Sequence, residues 1–118
     1  MRDIKFRVWT GYQMIKPFTL IDIQNEKASI RNSDFIMQYT GVDDKNGTPI
    51  YEGDIVEGMC LGFYDDEEFK DVIEFSNGSF CFKKEKWKDG TYDWYSLENY
   101  NSEDLEVVGN IYENPNML

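Results

Sequence analysis

Short runs in which apolar and polar residues alternate follow one another along the chain, and this period of two is typical of β-strands. In the first run, Phe6 and Val8 share an apolar face of the predicted strand, while Arg7 and Trp9 share the opposite face. We expect the apolar face to cover a core. The outward Arg7 and Trp9 are expected to make a cation–π contact or to touch another subunit, because an alternating strand near a chain end favours pairing with a second sheet.

Further strands are predicted over residues 18–23, 28–31 and 35–40, where β-branched and aromatic residues are enriched. Pro17 is expected to interrupt pairing before the first of them, because proline cannot donate a backbone hydrogen bond. One helical turn is predicted over residues 96–100. Near the C-terminus, a last strand is predicted to share one face among Leu105, Val107 and Ile111, with a bulge or close approach at Gly109.

Three dipeptides mark tight hairpin turns: Asn46-Gly47, Asn77-Gly78 and Asp89-Gly90. They favour a type I′ turn, because both central residues of that turn need a positive φ. At the second turn, a two-residue connection sets Phe75 opposite Phe80 and Ile73 opposite Phe82, on a face that we expect to be buried.

The third turn is predicted to set Trp87 opposite Tyr92 and Lys86 opposite Asp93, which gives one aromatic pair and one pair of opposite charges. The residues around the first turn include Asp43 and Asp44, which resemble part of a calcium-binding loop. With Gly47 at the sixth position of such a loop, the first and twelfth positions have no ligating side chain. The sequence therefore predicts a turn here and no metal site.

Composition places the chain among small folded domains. Its 118 residues suit one domain, 16% of them are aromatic, and no apolar run is long enough to span a membrane. The alternating N-terminus does not resemble a signal peptide, so we expect a cytoplasmic protein. Cys60 and Cys81 match neither a Cys-x-x-Cys motif nor a disulfide framework, and we expect buried, reduced thiols.

Charge is distributed unevenly. Residues 1–40 carry a net charge of +2 and residues 41–118 carry −13, for a total of −11. Such an acidic surface repels the phosphates of nucleic acid, so direct nucleic-acid binding is not expected. The acidic surface either keeps the protein soluble or mimics a DNA backbone. Histidine is absent from the sequence, which removes the usual acid–base group at neutral pH and the commonest zinc ligand.

Two clusters of charge have both a structural and a functional interpretation. Four consecutive carboxylates form a candidate acidic loop that faces a partner: Asp65, Asp66, Glu67 and Glu68. With Asp54 they could gather a divalent ion, although adjacent carboxylates on a long connection more often form a water-facing loop. Four lysines surround Trp87 and could contact nucleic acid, although neighbouring carboxylates favour a solvated hairpin face: Lys83, Lys84, Lys86 and Lys88.

The strands, the hairpins and the near absence of helical periodicity predict an α+β fold that is predominantly β. The Gly-Asp-Ile-Val strand entry at residues 53–56, a long polar connection and an Asn-Gly hairpin are typical of an SH3-like β-barrel. We predict an N-terminal strand-rich lobe over residues 1–38 and an acidic C-terminal barrel over residues 39–118, joined by the stretch 37–56.

Five segments, taken together and in this order, resemble the YopX-like proteins of bacteriophages and prophages: residues 4–9, 37–41, 44–47, 50–56 and 108–115. The resemblance covers the chain from end to end. It implies a phage-encoded protein in a bacterial cytoplasm, with an N-terminal lobe involved in self-association and a C-terminal SH3-like barrel. It implies no activity.

We find no catalytic motif and no phosphate-binding glycine loop, and we expect no catalytic residue, cofactor or metal. The leading hypothesis is a non-enzymatic protein-interaction module that forms a homo-oligomer and binds a host or phage protein. Its candidate contacts are Arg7, Trp9, Tyr39 and Tyr51. The alternative hypothesis is an acidic DNA mimic that inhibits a nucleic-acid-binding host protein.

Overall fold

The computed structural model describes residues 4–25, 31, 33–61, 66–86, 92–99 and 104–118. Within those ranges the chain is predominantly β, as predicted, and has one short α-helix. The elements are β1 Phe6–Trp9, β2 Met14–Phe18, α1 Leu20–Gln24, β3 Phe35–Asp43, β4 Pro49–Tyr51, β5 Asp54–Leu61, β6 Asp66–Val72, β7 Glu74–Ser76, β8 Ser79–Lys86, β9 Tyr92–Ser96, a 3₁₀ turn Leu97–Asn99 and β10 Leu105–Asn110.

The described strands form three antiparallel sheets, in the orders β2-β1-β3-β4, β10-β5-β6 and β7-β8-β9. Strand β1 therefore lies inside the first sheet with a neighbour on each side. The expectation that β1 offers a free edge to a second sheet is wrong, because β2 and β3 already use its backbone groups. Strand β2, which contains Pro17, is the edge on that side.

Helix α1 occupies the place of the strand predicted over residues 18–23, so that prediction is wrong. The hydroxyl of Thr19 accepts a hydrogen bond from the Asp22 amide at 3.3 Å, and the Asp22 carboxylate accepts one from the Thr19 amide at 2.9 Å. This capping box satisfies backbone donors at the start of a helix and outweighs the β preference of the isoleucines that follow. The strand predicted over residues 28–31 lies mostly outside the described residues.

The hairpin at Asn77-Gly78 is confirmed. Both residues have positive φ, 52° and 84°, as a type I′ turn requires. Phe75 lies opposite Phe80 in the ladder, and their ring centroids are 5.1 Å apart. Phe80 is buried whereas Phe75 is 58% exposed, so the predicted burial of this face does not extend to the end of β7.

The turn at Asn46-Gly47 is a different type from the predicted one. Gly47 has a φ of 80°, but Asn77 is the one residue other than glycine with positive φ in the described part of the chain. The carbonyl of Asp44 accepts a hydrogen bond from the Gly47 amide at 3.0 Å, as in a type I turn followed by a left-handed glycine. The Asp44 side chain fixes this geometry.

The hairpin between β8 and β9 pairs Lys86 with Tyr92 and Glu85 with Asp93. The predicted pairing of Lys86 with Asp93 is therefore wrong by one residue. Because Tyr92 faces Lys86, the predicted pairing of Trp87 with Tyr92 is wrong as well, and a bulge between Lys83 and Glu85 shifts the register once more away from the turn. The turn residues 87–90, which include Trp87, lie outside the described residues.

Three further predictions are confirmed in the described residues: a helical turn, a bulge at Gly109 and a buried thiol at Cys81. The helical turn is confirmed at Leu97–Asn99, and the bulge is confirmed by a register shift between Val107 and Gly109. A Cβ added at Gly109 would lie 2.6 Å from Oδ1 of Asn114, so the predicted close approach is present and a larger residue would displace that side chain. Cys81 is a buried free thiol, and burial raises its pKa above the ordinary value, as does the neighbouring charge of Glu74.

Two apolar clusters hold the sheets together. The larger one is built from the second and third sheets with β4, and its buried residues are Ile50, Val56, Phe69, Ile73, Phe80, Phe82, Leu97 and Leu105. The smaller one joins the first sheet to the C-terminal segment around the buried Met37, Tyr39 and Tyr51. Strand β3 extends through both regions, so the two parts of the chain share a continuous structural element.

Candidate functional site

A buried ion pair joins the first and second sheets. Arg7 extends from β1, Asp54 begins β5, and Nη2 of Arg7 lies 2.5 Å from Oδ1 of Asp54. The Arg7 side chain is 13% exposed and the Asp54 side chain 1% exposed. The other carboxylate oxygen accepts a hydrogen bond from the Tyr51 amide at 2.8 Å. The expectation that Arg7 faces outward is therefore wrong, because a buried carboxylate 47 residues later holds it inside.

Two tyrosines surround this pair. The Arg7 guanidinium lies 4.6 Å from the ring centroid of Tyr51, which is the cation–π contact predicted for this strand face. The rings of Tyr39 and Tyr51 are 5.6 Å apart, and the Tyr39 hydroxyl donates to Asp43 at 2.5 Å. Both tyrosines are buried within one chain, so the structure places them in a core and not on a surface.

Burial has the largest influence on the pKa values of the two ionisable groups beside Arg7, those of Asp54 and Tyr51. It raises the pKa of the Asp54 carboxyl above its ordinary value, although the charge of Arg7 acts in the opposite direction. Burial also raises the pKa of the Tyr51 phenol. Among the described residues, Nε of Arg7 and the hydroxyl of Tyr51 are buried without a hydrogen-bond partner. Burying the two charges has a desolvation cost, and their contact connects β1 of the first sheet to β5 of the second.

Trp9, the fourth candidate contact, belongs to an aromatic cluster. Its ring stacks on Tyr112 with centroids 6.2 Å apart, and Phe35 contacts the same tyrosine at 5.2 Å. The cluster links β1, β3 and the turn after β10. Trp9 is half-buried, whereas Phe35 is 53% exposed and extends the cluster to the surface.

The acidic run 65–68 is not a loop over its described part. Residues 66–68 belong to β6, where Glu68 pairs with Met59 and Glu67 with Cys60 of β5. Glu68 is exposed, and Asp65 lies outside the described residues. In the described part of the chain, no three metal-binding side chains gather into a group. Asp54 is separate from the run, and both of its carboxylate oxygens already accept hydrogen bonds.

The described lysines of the predicted basic cluster belong to β8. The Lys83 ammonium lies 4.9 Å from the ring centroid of Trp94, and the Lys83 amide donates to the Asp71 carboxylate. Lys84 and Lys86 are residues of β8, and Lys88 lies outside the described residues. The one lysine side chain described here is therefore held against its own sheet.

An exposed apolar surface on the first sheet and its helix was missed by the sequence reasoning. Helix α1 has no buried residue, and Leu20 and Ile21 are 59% and 65% exposed. Ile4, which precedes β1, and Ile15 of β2 are also exposed. The signal that could have found it is a Thr-x-x-Asp capping box followed by isoleucine, which places apolar residues on a helix too short to bury them. We call Ile4, Ile15, Leu20, Ile21 and Ile23 the α1 surface.

The family model described as YopX protein matches residues 12–118. The chain belongs to the YopX family. None of the curated proteins with which it was compared matches it.

Two solved structures share the fold of this YopX-family chain. Protein EF1440 from Enterococcus faecalis is 25% identical, with a TM-score of 0.65, over 100% of this chain and 99% of that one. Protein YopX from Bacillus subtilis is 19% identical, with a TM-score of 0.60, over 97% of each chain. In the described residues, no helix is long and apolar enough to cross a membrane.

Proposed function

We propose that this protein is a non-enzymatic interaction module that assembles with copies of itself through its N-terminal lobe, residues 1–38. The α1 surface is the observation that carries the proposal. In this proposal the protein is phage- or prophage-encoded and acts in a bacterial cytoplasm, where residues 39–118, as an SH3-like barrel, contact a host or phage protein. This setting is what the resemblance to the YopX-like proteins of bacteriophages and prophages implies.

The α1 surface needs a cover. A helix of five residues is not stable in water by itself, and this one buries none of its side chains in its own chain. Burying one leucine or isoleucine contributes about 1.5–3 kcal/mol, so two copies that cover Leu20 and Ile21 would stabilise each other and the helix together. A second copy fits this surface in chemistry, because it presents the same apolar side chains.

Charge also favours contact at this lobe. Residues 41–118 carry a net charge of −13, so two copies that met through these segments would repel each other. Residues 1–40 carry +2 and are the least acidic part of the chain. Assembly through the α1 surface brings the copies together where this repulsion is smallest. Added salt is expected to strengthen the assembly, because it screens the remaining repulsion between the copies.

The experiment is multi-angle light scattering at concentrations from low to high micromolar. We expect the unaltered protein to have a mass that is a multiple of 14.0 kDa, and Ile21→Glu to return it to 14.0 kDa. Leu118→Glu is the matched control, because Leu118 is 63% exposed and the substitution adds the same charge outside the α1 surface. An unaltered protein that stays at 14.0 kDa throughout would contradict the proposal.

A second candidate function, a DNA mimic, is favoured by the position of the acidic run. Residues 66 and 68 share one face of a strand whose register with β5 is fixed, and such a scaffold can space their carboxylates regularly in an array. The array would bind a basic host protein in place of DNA phosphates.

The mimic is tested by pull-down from a bacterial lysate. We expect DNA-binding proteins to be recovered at about 50 mM salt and released by duplex DNA or by about 200 mM salt. Replacing Asp66, Glu67 and Glu68 by their amides is expected to abolish recovery. Recovery that ignores both salt and duplex DNA excludes mimicry.

A further inference from the structure

A cleft of about 330 Å³ opens where the first sheet meets the strands of the larger core. Ile36 and Met37 of β3 line one side, and Val72 with residues 73–75 lines the other. The turn between β4 and β5 and the segment after β10 close its ends. The cleft lies apart from the α1 surface, because no residue of that surface lines it. Its volume is at the lower end of the range of pockets that hold small ligands or single side chains.

Two aromatic rings in the lining, those of Tyr112 and Phe75, pack against other aromatic rings. Tyr112 packs against Trp9 and Phe35, at 6.2 and 5.2 Å between ring centroids. Phe75 packs against Phe80 at 5.1 Å and still exposes 58% of its surface. An aromatic residue so exposed beside a cleft offers its face to a ligand, and the face of an aromatic ring attracts cations.

The charged residues in the lining are both acidic. Glu52 lies at the β4–β5 turn, and its Oε1 accepts a hydrogen bond from the Gln38 amide at 2.8 Å, which fixes the carboxylate. Glu74 is an exposed residue at the start of β7. Burial raises the pKa of the Tyr112 phenol and the nearby charge of Glu52 raises it further, although the charge of Arg7 acts in the opposite direction. No lysine or arginine is among the residues lining this cleft.

We propose that this cleft binds an arginine side chain from an extended segment of a partner protein. Arginine fits both halves of the lining, because its planar guanidinium pairs with carboxylates and stacks on aromatic rings, while its stem packs on apolar surface. The guanidinium lies between Glu52 and Glu74, and the stem lies against Phe75 and Ile36. Apolar residues flanking the arginine would cover the exposed parts of those two side chains.

The probe is a capped pentapeptide, Gly-Val-Arg-Val-Gly, added to isotope-labelled protein and followed by amide chemical shifts. We expect saturable shifts at Gly53, Ile36 and Tyr112. A peptide with citrulline in place of arginine keeps the shape and loses the charge, and we expect it to bind at least about 10-fold more weakly. Equal binding of the two peptides, or shifts elsewhere than the cleft, would overturn the proposal.

Matched variants separate the cleft from general acidity. Glu74→Gln is expected to weaken binding by about 5- to 10-fold and Phe75→Leu by about 3-fold. Glu68→Gln removes an exposed carboxylate of β6 and is expected to change binding by less than about 2-fold. Equal losses in Glu68→Gln and Glu74→Gln would mean attraction to the whole acidic surface and would refute the site.

The same samples distinguish this inference from self-association. The unaltered protein and Glu74→Gln are expected to have the same mass by light scattering, because Glu74 lies outside the α1 surface. Arginine binding that is lost in Glu74→Gln and retained in Ile21→Glu supports the cleft whatever the oligomeric state. Binding that is lost in both variants would assign the peptide site to the assembly and refute a site within one chain.

Discussion

Asp54→Ala is expected to lower the free energy of unfolding by about 3–5 kcal/mol, the largest effect of any single substitution considered for this protein. The substitution removes the partner of Arg7 and leaves a guanidinium in a site where the side chain is 13% exposed. It also removes the acceptor of the Tyr51 amide. Chemical denaturation followed by tryptophan fluorescence measures the loss as a lower midpoint, and the slope is expected to stay the same.

The double variant Arg7→Met with Asp54→Leu is the control for this prediction. Replacing a whole buried ion pair by apolar residues is often neutral or stabilising, so the double variant is expected to recover most of the loss in Asp54→Ala. Such a recovery would show that the stability loss in Asp54→Ala comes from the unpaired charge of Arg7 and not from the loss of the ion pair itself. A loss below about 1 kcal/mol in the single variant would show that water reaches Arg7 and would contradict its burial.

How far the sequence determined the fold depends on the distance over which each feature is encoded. The Asn77-Gly78 hairpin was predicted with its register, because its turn chemistry is complete within two residues. The bulge at Gly109 was also predicted from local signals. The helix at Leu20–Gln24 is not predicted, although its signal is local. Ile21 and Ile23 favour a strand, and their preference opposes the Thr19–Asp22 capping box.

The candidate site was harder to predict, since its parts come from distant segments. Arg7 and Asp54 are 47 residues apart, and strand alternation alone puts Arg7 on the outside. Only the packing of two sheets shows that the polar face of β1 is itself covered. The cleft of about 330 Å³ combines β3, the β4–β5 turn, the end of β6, β7 and the segment after β10, and no spacing in the sequence indicates that these segments meet.

Asp44→Ala is the second substitution with a large expected effect, a loss of about 3 kcal/mol in the free energy of unfolding. Oδ1 of Asp44 accepts hydrogen bonds from the amides of Asn46 and Thr48 at 2.8 and 2.9 Å. Oδ2 accepts one from the Val107 amide at 2.9 Å, so the carboxylate ties the first hairpin turn to β10. The turn interpretation of this residue is thereby confirmed. Thermal or chemical denaturation at neutral pH measures the loss.

The matched control lies on the facing strand. Glu106→Gln removes the charge that pairs with Lys45 at 3.5 Å, where both side chains are nearly half exposed. It keeps an oxygen that can accept the 3.3 Å hydrogen bond from the Asn46 side chain. Exposed pairs of this kind contribute about 0–1 kcal/mol, so the control is expected to leave stability almost unchanged. Similar losses in Asp44→Ala and Glu106→Gln would mean that charge near β10, and not the three amide hydrogen bonds, stabilises the turn.

The pH dependence gives an independent test of the same residue. Burial acts to raise the pKa of Asp44, but the hydrogen bonds from Val107, Thr48 and Asn46 outweigh it and the pKa is lowered. A lowered pKa in the folded state means that the contribution is fully present above the unfolded value, about 3.9, and is lost as pH falls through the folded value. Asp54 acts with the opposite sign, because its pKa is raised and its contribution decreases as pH rises through that raised value.

Comparing two proteins that both keep Asp54 isolates Asp44. Asp44→Asn cannot titrate, but it retains one oxygen that accepts hydrogen bonds from the turn amides. Its amide nitrogen takes the place of Oδ2 and faces the Val107 amide, which is itself a donor. The unaltered protein is therefore expected to lose stability more steeply than Asp44→Asn below about pH 4, so that the two denaturation midpoints converge in acid. Parallel curves across that range would show that Asp44 has the same pKa in the folded and unfolded chains, and that its three hydrogen bonds do not favour the charged form.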